Sequence, residues 1–220
     1  MKIDTEITDK STTANPVKIK TELPTADIKS AIENSLTNKI EIKLIVPNAI
    51  ATNKNVSITE IKADKLIFEQ AKTSGKEVAF IVETVDGKAI ASWLFDRTKI
   101  TNTTVHVNLA VNLVKASTLA KIKAAGADEN TKPLVVSFNH SGNLPANAKI
   151  ILDVSADYND GEELFLYYYN DTTKKLEPIS KGNKVMGEKV QIEISHCSNY
   201  VLTKTRIPAR VEQASLAVSV

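Results

Sequence analysis

Through most of the chain, hydrophobic and polar positions alternate with a period of two, the signature of half-buried β-strands. The clearest case is Lys189–Thr203. There Val190, Ile192 and Ile194 alternate with Lys189, Gln191, Glu193 and Ser195, the pattern breaks at His196-Cys197-Ser198-Asn199, and a second apolar run, Tyr200-Val201-Leu202, follows. Ile40, Ile42, Leu44 and Val46 alternate with Glu41, Lys43 and Ile45 until Pro47-Asn48 ends the run, and Val56-Ser57-Ile58 predicts a weaker strand. Glu77–Thr84 and Ala89–Phe95 are apolar runs joined through Asp86-Gly87, the strongest short-range signal of a hairpin. Further strands are predicted at Val105–Val111, Leu134–Phe138, Ile150–Val154, Glu163–Tyr169 and Lys175–Ile179.

The period changes in two connections. Ala63, Leu66, Ile67, Gln70 and Ala71 fall at helical spacing and Gly75 follows as a stop, so Ala63–Thr73 predicts a short helix. Lys115–Ala125, capped by Gly126, predicts another, and Asp27–Asn34 can form a short helix nearer the start. Turn composition marks Ser141–Pro145, Asn159-Asp160-Gly161 and Asn170-Asp171-Thr172, with Gly182-Asn183 and Gly187 leading into the last strands. Short strands separated by such turns predict a mainly all-β fold: an antiparallel β-sandwich with one or two short helices in its connections. Residues 1–38, rich in Thr, Lys, Asp and Glu, are expected to be a polar lead-in. The sandwich is expected over 39–205, as one unit or as two packed halves, 39–126 and 127–205, with 206–220 as a tail or linker. No exact internal repeat is present.

Composition narrows the class. Hydrophobic residues are 42% and charged residues 25%, ordinary for a globular chain with a core. A net charge of +2, without any block of like charges, gives a nucleic-acid partner no electrostatic basis. Cys197 is the one cysteine, so no intrachain disulfide can form, as expected in the cytosol and equally in a Gram-positive surface protein built without disulfides. No apolar run approaches the ~20 residues of a membrane-spanning helix. The segment after Met1, KIDTEITDKSTT, has no apolar signal-peptide core.

Four phrases occur in order: SWLFD at Ser92–Asp96, HSGNLP at His140–Pro145, LYYYN with KLE between Leu166 and Glu177, and HCSNYVLT at His196–Thr203. Together they resemble a β-rich module that recurs in secreted and cell-surface, multi-modular proteins of Gram-positive bacteria. The resemblance covers roughly residues 60–203. It implies a position outside the cell, beside other modules, and it assigns no catalytic residue.

Candidate chemistry is sparse. His196-Cys197 offers the parts of a thiol nucleophile, but neighbours on a strand point to opposite faces. The structural alternative is a polar corner in which His196 continues the inward set of Val190, Ile192 and Ile194, while Ser198 and Tyr200 bond to a neighbouring loop. His140-Ser141 lies in a turn without a nucleophile-elbow pattern. A hydrolase centred on His140 or His196 would need a nucleophile and an acid to converge on the imidazole. The densest oxygen cluster contains Asp157, Asn159 and Asp160; calcium is the cation such a cluster would take, although the EF-hand spacing is missed. Zinc spacing, a phosphate loop and a dinucleotide loop are absent from the sequence. Trp93 and the Tyr167/Tyr169 row would form a stacking platform for sugar rings if they faced solvent. The sparse chemistry gives the expectation that the protein is not an enzyme and takes no cofactor, and the resemblance implies a structural or adhesive surface module with a wall polymer or neighbouring modules as partners. The alternative is a carbohydrate-binding module using those rings.

Overall fold

The computed structural model describes residues 2–6, 17–47, 56–114, 116–127 and 129–208. The expectations for 7–16, 48–55 and 209–220 lie outside the described residues. In chain order the elements are β1 (Lys2–Glu6), β2 (Val17–Glu22), α1 (Thr25–Asn34), β3 (Lys39–Val46), β4 (Val56–Ala63), α2 (Lys65–Thr73), β5 (Glu77–Thr84), β6 (Ala89–Phe95), β7 (Val107–Asn108), β8 (Val111–Asn112), α3 (Ala116–Ala124), β9 (Leu134–Asp153), β10 (Glu163–Asn170), β11 (Lys175–Lys184) and β12 (Lys189–Thr203). The fold is mainly β with short helices, as the alternation predicts.

A nine-stranded sheet runs β1-β3-β5-β6-β9-β12-β10-β11, with β8 beside β9, and a three-stranded sheet runs β2-β4-β7. The pairing is mixed rather than antiparallel throughout. β1, β3 and β5 are mutually parallel, as are β2 and β4, and the other pairs are antiparallel. Between β3 and β5 the chain passes through β4 and α2, a crossover that returns it in the same direction. Side-chain alternation carries no information about that direction.

β9 and β12 form the spine. Val190 pairs with Leu152 near one end and Val201 with Val135 near the other. Register shifts fall between Ile194 and His196 and between Cys197 and Asn199, where β12 runs beside Asn143 and Gly142. Ser141–Pro145, expected as a turn, is thus a bulged passage inside one continuous strand, and the HCSN break is its counterpart in β12. Extra residues at a bulge bend the strand and increase its twist. The bend turns the sheet into two layers whose inner faces share one core. Trp93 from one layer lies 5.2 Å from Phe138, and Phe138 lies 5.8 Å from Tyr200 in the other (ring centroids).

That core is contiguous from Ile19 to Leu202. Residues 17–38, expected as part of a polar lead-in, place Ile19, Leu23, Ile28 and Ile32 within it. α2 starts on Asp64, whose carboxylate accepts the Leu66 N–H, and it buries Ile67, Phe68 and Ala71. Leu66, assigned to the apolar stripe from its spacing, faces outward instead. The strand predicted at Val105–Val111 is split. Asn108 Oδ1 accepts from the N–H groups of Ile61 and Ala110 and its Nδ2 donates to the Thr59 carbonyl, so a side chain replaces part of the ladder.

Candidate functional site

Cys197 and His196 are adjacent in sequence, His140 and His106 lie apart from them, and each of the four has its own surroundings. Cys197 is 5% exposed among apolar neighbours, and burial pushes its thiol up to about 12. His196 stands half-buried, edge-on to Tyr168 at 5.0 Å, with Nδ1 3.3 Å from Ser195 Oγ. His140 accepts the Asn108 N–H at Nδ1 (3.4 Å) and, in the matching tautomer, donates from Nε2 to the Asn143 carbonyl (3.2 Å). His106 sits at the start of α2, with Nδ1 3.2 Å from Asp64 Oδ2. None of these hydrogen bonds joins an imidazole to the thiol.

The polar corner differs from expectation. The bulge after Ile194 advances the strand by one residue, so Cys197 rather than His196 continues the inward set of Val190, Ile192 and Ile194. The Tyr200 hydroxyl donates to the His196 carbonyl at 2.8 Å, within its own strand rather than to a neighbouring loop. Ser198 is half-buried beside them.

Asp157, Asn159 and Asp160 do not converge on a cation site. The Asp160 carboxylate accepts the N–H groups of Gly187 (3.2 Å) and Glu188 (2.7 Å), holding the turn before β12, where both residues have positive φ. The Asn159 N–H donates to Glu162, which pairs with Lys204, and Asp157 is exposed. Among the described residues no group of three or more His, Cys, Asp or Glu is placed to hold a metal ion.

The proposed stacking rings are covered. Trp93, Tyr167 and Tyr169 are 0%, 4% and 2% exposed. Trp93 lies in the main core. Tyr167 and Tyr169 lie on the outer face of the second layer, beneath a smaller cluster formed with Ile122 of α3, Ala127, Val135, Val201 and Ile207. The Tyr167 hydroxyl accepts the Ile207 N–H at 2.8 Å, which docks the segment after β12 onto the sheet. A sugar ring has no exposed face to stack on at any of the three.

α3 covers only part of that outer face. Beyond it, β10, β11 and residues 206–208 enclose a groove formed by two adjoining hollows of about 360 and 510 Å³. The hollows share Tyr167, Pro178 and Arg206. Phe165, Leu176, Pro178 and Ile179 give the groove an apolar floor, and Ile179 is 48% exposed. Lys174, Lys175, Lys181 and Arg206 line it, and no lining side chain is acidic, although Lys174 pairs with Asp171 beside the groove at 3.6 Å. The register sets this arrangement: Tyr167 opposes Pro178 and Tyr169 opposes Leu176. β11 is the edge of the sheet, where a proline and flanking lysines are tolerated and discourage pairing with another chain.

Arg206 and Lys181 were not among the residues singled out from sequence. The apolar and basic residues of 174–181 were a local signal, but the approach of residues 206–208 to β11 left no trace in it. The chain matches no family model, no curated protein and no solved structure. Among the described residues, no helix is long and apolar enough to cross a membrane.

Proposed function

We propose that the protein is a non-catalytic, structural or adhesive β-sandwich module of a bacterial cell-surface or secreted protein, and that it holds its partner in the groove over β10 and β11. The observation that carries this proposal is the groove itself: an apolar floor, part of it exposed, ringed by cations with no acid among the lining residues. Two further features support it. The thiol and the imidazoles are engaged in the core, in a bulge and at a helix start. The bent sheet, with its shared core, makes a stiff body suited to presenting a surface. The placement outside the cell rests on the four-phrase resemblance. A wall polymer or a neighbouring protein module is the partner in this setting.

Co-sedimentation with intact Gram-positive cells tests the proposal. The wild-type protein is expected to sediment with the cells in a salt-sensitive manner, and a Lys181→Glu/Arg206→Glu variant to remain in the supernatant. Equal sedimentation of both proteins, or none of the wild type, would overturn it.

A further inference from the structure

Resting on that proposal, we infer that the groove takes an extended acidic peptide segment whose carboxylates alternate with apolar side chains. The lining makes two demands at once. Phe165, Leu176, Pro178 and Ile179 offer apolar surface that gains by leaving water. Arg206, at the junction of the two hollows, and Lys181, at one end, form no ion pair among the described residues. Arg206 and Lys181 therefore offer positive charge that no acid of the groove neutralises, whereas Lys174 is paired with Asp171 at 3.6 Å.

A neutral sugar chain would leave those cations unmatched. A phosphate-rich polymer would match them but leave the floor against its charged and hydroxylated surface. An extended peptide meets both demands, because its side chains point alternately to opposite sides. Apolar residues directed at the floor then alternate with carboxylates directed at the rim. Arg206 suits this role, since its planar fork accepts a carboxylate through two parallel hydrogen bonds.

The test uses the whole protein and a fluorescein-labelled peptide of about twelve residues alternating Glu with Leu or Phe, an extended length matched to a strand. The comparison probes are polyglutamate of equal charge and poly(glycerol phosphate), with binding read by fluorescence anisotropy. The amphipathic acidic peptide is expected to bind about tenfold or more tighter than either comparison probe. Arg206→Glu and Ile179→Ser are each expected to weaken it about fivefold or more. Both substitutions are at exposed positions, and Trp93 emission reports whether each variant keeps its core. Equal or tighter binding of polyglutamate or poly(glycerol phosphate) would overturn the peptide assignment; if it remained sensitive to Arg206→Glu, the adhesive groove would stand. Peptide binding indifferent to both substitutions would also overturn the assignment. Failure of all three probes to bind, together with loss of cell co-sedimentation, would remove both proposals.

Discussion

The Trp93 indole N–H donates to the Leu109 carbonyl at 3.1 Å inside the core, so the largest buried side chain has its polar atom satisfied by the loop between β7 and β8. Trp93→Phe removes that donor, strands a buried carbonyl and leaves space beside Phe138. The expected cost is about 2–4 kcal/mol, read as a lower urea midpoint. Trp93 is the single tryptophan, so native emission should be blue-shifted and should move red in one step with unfolding. A native spectrum typical of water-exposed indole would contradict this placement.

Gly142 lies in the bulged passage of β9 with φ +96°, and a Cβ there would meet no heavy atom within 4 Å. Gly142→Ala therefore acts through the backbone alone, with an expected loss of about 1–2 kcal/mol. Thermal unfolding should show the loss without a change in native circular dichroism. A neutral result would mean that the bend does not depend on the left-handed conformation.

Burial raises the proton affinities of Cys197, Tyr158 and Tyr200, the thiol to about 12 and the two phenols well above their ordinary value. In the unfolded chain these groups ionise near about 8.5 and about 10. The folded state thus retains protons that the unfolded state releases. Their contribution is complete below the unfolded values and is lost progressively as pH rises from there through the raised values of the folded state. Stability should be level up to about pH 8 and then fall, with Cys197→Ser flattening the first part of the decline and Tyr158→Phe the later part. The native thiol should also resist a thiol reagent that labels it rapidly in denaturant.

Lys43 Nζ lies 2.6 Å from both carboxylate oxygens of Glu83, whose side chain is 7% exposed. Glu83→Gln leaves the partly buried ammonium facing a neutral amide and is expected to cost about 2–4 kcal/mol. Lys43→Met/Glu83→Leu should recover much of that loss, because two apolar side chains need no charge compensation. A double variant no more stable than Glu83→Gln would show that the pair also sets the packing around it.

Several elements were legible locally. The alternation in Ile40–Val46 and Val190–Ile194 reports the two environments on either face of a strand, and Asp86-Gly87 does form the hairpin between β5 and β6, with Gly87 at φ +83°. Of the candidate site, the sequence showed aromatic and basic residues near β10 and β11. It did not show which rings would be covered. Tyr167 and Tyr169 read as an open platform until α3 and Ile207 are placed over them.

From the sequence alone came the β class, the short helices in the connections, and most of the strand positions, because each depends on periodicity over a few neighbouring residues. Tertiary structure alone decided that β9 and β12 run unbroken through matched bulges, that Cys197 rather than His196 turns inward, and that β1, β3 and β5 run parallel. It alone brought Arg206 to Pro178 and opened the groove between them. These outcomes depend on which distant segments share a buried surface, and a local pattern of polar and apolar residues does not encode that partner.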